Sequence, residues 1–201
     1  MYRLCQTEVV KIVEHIKSVW SHLWRILLSP SGEWQRILKA NVSTKRVEMG
    51  YLLPCILLCS MFHFVCTFLG SAVSFNWVRA FGAFLLPIIF YGVSYYLSVI
   101  AGGVLLFGSN WKNGSGGVLR ILIAYSMTIY IVMDVLLTIL PGMDYLIILD
   151  MYVVYLLYTG CKVFRIESKG SLSRAVAILS VVVVLLPIIL HLVLNLLLPN
   201  M

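Results

Sequence analysis

Five runs of mostly apolar residues, each about twenty residues or longer, occupy most of the chain after residue 48. Because a helix rises about 1.5 Å per residue, about twenty residues cross the roughly 30 Å hydrocarbon core of a bilayer. The chain has 201 residues, of which only 11% are charged, too few to cover a soluble surface. The sequence therefore predicts an all-α, polytopic integral membrane helical bundle with five transmembrane helices. The runs cover roughly residues 49–73, 80–107, 118–140, 144–164 and 175–198.

Positive charge alternates between the segments that separate these runs. Lys and Arg number eight before the first run, one in the first loop, two in the second, none in the third and four in the fourth. The positive-inside rule assigns the segments that are rich in Lys and Arg to the cytoplasm. This predicts a cytoplasmic N-terminus and, after five spans, a C-terminus on the opposite side. Because the basic residues flank spans instead of forming a folded basic domain, we expect no nucleic-acid partner.

Residues 1–46 form a basic amphipathic helical region ahead of the five-span membrane domain, residues 47–201. Between residues 8 and 28 the apolar side chains recur at helical spacing. Such a helix suits two positions, lying in the membrane interface or packing against the protein's own spans. The sequence Ser-Pro-Ser-Gly at 29–32 breaks it and predicts a cap of two short helices. The residues expected to contact the membrane surface are Lys11, Lys17, Trp20, Trp24, Arg25 and Trp34.

Ionisable side chains inside apolar runs are costly in hydrocarbon, so each needs a partner or a function. Asp134 and Asp150 lie eight residues on either side of Gly142, at the turn between two runs, which places them at similar depth. His191, about seven residues before the outer end of the last run, falls in the same layer. These three residues form a candidate intramembrane polar cluster that could bind a proton or a cation. The alternative, since depth says nothing about helix rotation, is that each side chain has a separate partner.

Cys55, Cys59 and His63 follow one another at i,i+4 spacing in the first apolar run. Thiol and imidazole groups bind transition metals, but no fourth ligand is identifiable. No metal site and no cofactor are therefore expected. The chain also lacks a nucleotide-binding loop, a zinc-protease helix motif and a nucleophile elbow. The sequence favours a protein that is not an enzyme.

Two segments of the chain resemble the Yip family, multi-pass proteins named for interaction with Ypt and Rab GTPases, and in particular its compact bacterial members. They are WRILLSPSGEW, from Trp24 to Trp34, and AYSMTIYIVMDVLLTILPGMDYLIILDMYVVYLLYTGCKVF, residues 124–164, which a basic loop and a last span ending in Leu-Leu-Pro follow. The resemblance implies five spans and a role in membrane organisation or trafficking. The alternative that it implies is an unassigned role in a bacterial inner membrane, with the N-terminus in the cytoplasm and the C-terminus in the periplasm. The Asp-Leu-Tyr-Gly-Pro segment of eukaryotic members is absent.

The leading interpretation is a non-enzymatic Yip-like membrane protein that acts through protein or lipid contacts. The alternative is a small proton- or cation-linked transporter or channel that uses Asp134, Asp150 and His191. The expected partners are membrane lipids and another membrane or cytoplasmic protein, with homo-oligomerisation left open. No catalytic residue is assigned.

Overall fold

The computed structural model describes residues 21–70, 77–108, 116–140, 151–168 and 171–197, and these ranges are helical apart from short connections. A π-helical turn, Glu48–Leu52, lies inside the helical stretch Thr44–Gly70, which is therefore one continuous helix. The expectation of an all-α fold is confirmed for these residues. The helices are α1 (21–28), α2 (Pro30–Ala40), α3 (Thr44–Val47), α4 (Leu53–Gly70), α5 (Trp77–Phe107), α6 (Gly116–Ile139), α7 (Tyr152–Phe164) and α8 (Leu172–Leu197).

Four helices in the described ranges are long and apolar enough to cross a membrane. They match the first, second, third and fifth predicted runs. The fourth run contains α7, a shorter apolar helix, while residues 144–150 of that run lie outside the described ranges. By length and composition these helices fit an integral membrane protein. The four are Thr44–Gly70, Trp77–Phe107, Gly116–Ile139 and Leu172–Val193.

Helix α6 lies at the centre of the bundle, where α4, α5 and α7 pack against it. Small residues allow close approach between these helices, as is common in membranes. A Cβ atom on Gly102 of α5 would lie 3.1 Å from Leu179 of α8, and one on Gly160 of α7 would collide with Leu122 of α6. Gly102 and Gly160 therefore allow close approach of α5 to α8 and of α7 to α6.

Basic side chains gather at one end of the bundle. The starts of α3 and α6 meet there, because Gly117 lies against Thr44, and the end of α7 joins them through Gly160 and Leu122. Arg79, in the first turn of α5, lies at the opposite end. We call the first end the basic end, defined by Lys45, Arg46, Arg120, Lys162, Arg165 and Arg174.

Helices α1 and α2 pack along α7. The Tyr152 hydroxyl, at the start of α7, donates a hydrogen bond of 2.8 Å to the carbonyl of Leu27. The Trp34 ring lies 5.7 Å from the ring of Phe164, at the end of α7. Ile26 and Trp34 are 0% exposed. The described part of the N-terminal region thus packs against the protein's own helices, the second of the two predicted positions. Within it α1 and α2 are separated at Ser29, whereas residues 8–20 of the predicted amphipathic helix lie outside the described residues.

The prediction that Trp34 contacts the membrane surface is wrong. Its indole is enclosed by the bundle because Gly160 has no side chain there: a Cβ atom on that glycine would lie 3.1 Å from the indole. The Trp34 ring also meets Tyr125 of α6 edge to face, with 5.6 Å between ring centroids. An amphipathic pattern predicts an apolar face, and here that face is covered by protein.

Candidate intramembrane polar site

Asp134, in the second half of α6, is the centre of a polar cluster within the candidate spans. Its Oδ2 atom accepts a hydrogen bond of 2.9 Å from the Tyr91 hydroxyl of α5. The same oxygen accepts a contact of 3.5 Å from the Cys59 thiol of α4. The Nε2 atom of His63, also on α4, lies 3.1 Å from it. Helices α4 and α5 therefore direct three polar side chains at one carboxylate oxygen of α6, and we call these four residues the Asp134 site.

Local helix geometry explains how this site is assembled. Cys59 and His63 are four residues apart, so they lie on the same face of α4 one turn from each other. Tyr91 is 4% exposed, and its hydroxyl also lies 3.3 Å from the carbonyl of Tyr130. The Thr138 hydroxyl donates to the backbone carbonyl of Asp134 at 2.8 Å. The carboxylate is thereby held between α4 and α5.

Burial differs among the members of the Asp134 site. Cys59 is 1% exposed, whereas the side chains of His63 and Asp134 are 23% and 34% exposed. The Nε2 atom of His63 is itself screened from solvent, and despite its short distance to Asp134 it makes no hydrogen bond of good angle. At 3.1 Å a protonated imidazole and a carboxylate attract each other strongly in a medium of low dielectric constant. The imidazole nitrogen therefore has an electrostatic partner but an unused bonding direction.

The Asp134 site could also hold a metal ion. One ligand atom from each of Cys59, His63 and Asp134 lies within 4.8 Å of the other two, and these are the residues of the described ranges that group in this way. Cys55, the third member of the predicted i,i+4 series, is buried one turn earlier on α4 and does not belong to the group. The third candidate ligand comes from α6 instead.

The predicted cluster of Asp134, Asp150 and His191 is placed only in part. Asp150 lies outside the described residues. The His191 ring on α8 packs edge to face against Phe90 of α5, with 6.3 Å between ring centroids. Asp134 is joined by His63 and Cys59, which the sequence singled out separately. The signal that links them is a lone carboxylate on one span and a Cys-His pair on another.

A second polar cluster, which the sequence reasoning missed, lies at the basic end. The Tyr95 hydroxyl of α5 donates a hydrogen bond of 2.7 Å to Oε1 of Glu48, in the π-helical turn. The Arg120 Nη1 atom lies 3.7 Å from the same oxygen. We call this group the Glu48 site. Its signal was an acidic residue at the start of a span, with a tyrosine and an arginine at matching depth on two other spans.

The residues predicted at the membrane surface occupy several environments. Lys11, Lys17 and Trp20 lie outside the described residues. Trp24 is 45% exposed and Arg25 is exposed. Nearby, the buried Glu33 carboxylate lies 2.7 Å from Nδ1 of His22, which ties α1 to α2.

Comparison of the chain with protein-family models, with curated proteins and with solved structures finds no match. The assignment to the membrane therefore stands on the apolar helices themselves. Any more specific function has to be argued from the contacts of this chain.

Proposed function

We propose that the chain is a non-enzymatic, multi-pass membrane protein of the Yip-like type that acts through protein or lipid contacts in membrane organisation or trafficking. One observation carries this proposal: the two segments that resemble the family pack against each other. Trp34 of the first segment contacts Tyr125 and Phe164, close to the two ends of the second. Tyr152 of the second donates to Leu27 of the first. The resembling residues thus form one packed unit, which hydropathy alone would not require.

The proposed orientation places the basic end in the cytoplasm of a bacterial inner membrane, with the C-terminus in the periplasm and five spans in all. The gathering of Lys and Arg from the starts of α3, α6 and α8 and the end of α7 supports it. In this arrangement α7 is the inner part of the fourth span. Its short length is compatible with this because the run predicted from the sequence begins at residue 144.

The proposed contact surface is the outward face of α1. Leu28 is 78% exposed and Trp24 is 45% exposed, and Arg25 lies beside them. Ile26, on the opposite face, is 0% exposed and belongs to the core. A tryptophan, an arginine and a leucine on one face suit a membrane boundary or an apolar groove of a neighbouring protein.

Site-specific photocrosslinking in native membranes tests this proposal. A photoreactive side chain at Leu28 is expected to capture lipid or one reproducible protein, since that position faces outward. The matched control is the same side chain at Ile26, which is expected to react only within the chain. Capture of neither lipid nor a specific protein from Leu28, in a protein that folds normally, would contradict the proposed contact surface.

A second candidate function is proton- or cation-linked transport, and the Asp134 site favours it. Asp134, Cys59 and His63 bring exchangeable protons together between candidate spans. The sequence prediction adds Asp150 and His191 to this candidate cluster. Flux into reconstituted liposomes under an ion gradient tests it: Asp134→Asn and Asp150→Asn are both expected to abolish flux, while Cys66→Ser on α4 is expected to leave it unchanged. Absence of flux in the unmodified protein would rule this candidate out.

A further inference from the structure

We propose that Cys59, His63 and Asp134 form a binding site, between two membrane-spanning helices, for a divalent transition-metal ion of the zinc type. Their ligand atoms converge from α4 and α6 to within 4.8 Å of one another. The inference goes beyond the contact function proposed above, and it requires no transport.

Two of the three distances among the ligand atoms are close to those of a tetrahedral zinc site, and the third, from Cys59 to His63, is within 4.8 Å. Zinc lies about 2.3 Å from a thiolate sulfur and about 2.0 Å from an imidazole nitrogen or a carboxylate oxygen. Tetrahedral angles then place sulfur about 3.5 Å from oxygen and nitrogen about 3.3 Å from oxygen. The corresponding distances here are 3.5 Å for Cys59 to Asp134 and 3.1 Å for His63 to Asp134. These two distances need only small side-chain adjustments to suit a bound ion.

The charges of these ligands suit a site in hydrocarbon. One thiolate and one carboxylate carry two negative charges, and a neutral imidazole adds none. A divalent cation brings the total to zero, whereas either the ion or the anionic ligands alone would carry an uncompensated charge between the spans. Because burial of an uncompensated charge is expensive, charge balance favours a divalent ion over a monovalent or trivalent one.

The types of ligand select the class of metal. Calcium and magnesium bind almost entirely through oxygen, so a set of one sulfur, one nitrogen and one oxygen suits neither. Zinc and cobalt(II) accept this combination. Three protein ligands leave a fourth position for water or an external ligand, as in open zinc sites. The site therefore fits a borderline-soft ion with one exchangeable position.

Two further observations support this assignment. The Tyr91 hydroxyl, 2.9 Å from Oδ2 of Asp134, orients the carboxylate in the way that outer hydrogen bonds orient metal ligands. The Nε2 atom of His63 is screened from solvent and makes no well-angled hydrogen bond, so its bonding direction is available to an ion.

Cobalt(II) titration of the full-length protein in nanodiscs tests the proposal, because a thiolate ligand gives cobalt a charge-transfer absorption band. We expect one equivalent to bind with this band and zinc to displace it. Cys59→Ser is expected to remove the band, and Asp134→Asn to weaken binding at least 100-fold, in samples whose circular dichroism and gel-filtration profiles match the unmodified protein. The matched control, Cys66→Ser on the same helix, is expected to keep both the band and the affinity.

Two results would overturn the proposal. One is a folded, unmodified protein that binds no stoichiometric cobalt, which leaves a proton-sharing pair of Asp134 and His63. The other is a band that persists in Cys59→Ser, which would assign the thiolate ligand to another cysteine. The readout is independent of liposome flux and of photocrosslinking, so failure of the metal site is distinguishable from failure of either proposed function.

Discussion

Two tyrosines one turn apart on α5 each donate a hydrogen bond to a carboxylate, but the two carboxylates differ in their other partners. Tyr95 donates to Glu48, whose other partner is the permanently charged Arg120 at the basic end. Tyr91 donates to Asp134, whose other partners are His63 and Cys59. The Glu48 site thus has a fixed counter-charge, whereas every group around Asp134 can exchange a proton.

The difference between these partners indicates which of the two sites is structural and which binds a ligand. A carboxylate beside an arginine is neutralised at any physiological pH, since a guanidinium is not deprotonated in proteins. Such a carboxylate can join helices, but its charge is already balanced and it needs no bound ion. A carboxylate beside a thiol and an imidazole is neutralised only when a proton or a metal ion is present. We therefore assign stability to the Glu48 site and ligand binding to the Asp134 site.

The largest expected effect is on metal affinity. Asp134→Ala is expected to weaken zinc binding by a factor of 100 or more, because it removes one of three protein ligands. Glu48→Ala, the matched removal at the other site, is expected to change zinc affinity less than threefold. Competition with a chromogenic chelator measures both constants. Equal losses in the two variants would abolish the distinction between the sites.

The second expected effect is on stability, and here the substitution at the Glu48 site is expected to cost more than the one at the Asp134 site. Glu48→Ala is expected to lower the free energy of unfolding by about 2 kcal/mol. The Tyr95 hydroxyl loses its 2.7 Å acceptor and keeps only the 3.5 Å contact with the Arg120 carbonyl, and the Arg120 guanidinium loses its counter-charge. Asp134→Asn in metal-free protein is expected to change it by less than about 1 kcal/mol, since the amide oxygen still accepts from Tyr91. Unfolding in mixed micelles compares the two. A greater loss in Asp134→Asn would mean that the Asp134 site is mainly structural.

The two tyrosines provide a third comparison, in which the expected change in zinc affinity is about tenfold. Tyr91→Phe is expected to weaken zinc binding about tenfold, because the carboxylate loses the hydrogen bond that orients it. Tyr95→Phe is expected to leave zinc binding within twofold. Both substitutions keep the ring and remove only the hydroxyl, so they are matched controls for each other. Unchanged affinity in Tyr91→Phe would show that the hydroxyl does not position the ligand.

The smallest expected effect concerns whether the basic side chain beside Glu48 is an arginine or a lysine. Arg120→Lys is expected to change the free energy of unfolding by about 0.5 kcal/mol or less. The Arg120 nitrogen is 3.7 Å from Glu48 and its side chain is 41% exposed, so charge matters here more than the shape of the guanidinium. Thermal unfolding in detergent measures the difference. A loss as large as that of Glu48→Ala would mean that the guanidinium makes specific bonds.

Span positions were largely predictable from the sequence, because hydrocarbon thickness and apolar length are directly related. The run predicted at 80–107 corresponds to α5, Trp77–Phe107, and the run at 118–140 to α6, Gly116–Ile139. Asp134 was also identified as a candidate, since a carboxylate in an apolar run is rare and expensive.

The partners of Asp134 were not predictable in the same way. The i,i+4 spacing placed Cys59 and His63 on one face of α4, but which face of α6 meets it depends on helix rotation and packing. The position of Trp34 was missed for a related reason. Lipid and protein are both apolar, so an apolar helix face does not reveal which of them covers it.

Disulfide formation most directly tests the claim that α4 and α6 bring Cys59 to Asp134. In a chain whose other cysteines are replaced by serine, Asp134→Cys is expected to form a disulfide with Cys59 under mild oxidation, measured by mass spectrometry of the intact protein. The control pairs Asp134→Cys with Cys161, which follows Gly160 at the level of Leu122, and is expected to stay reduced. A Cys59 pair that also stays reduced in folded protein would contradict the account.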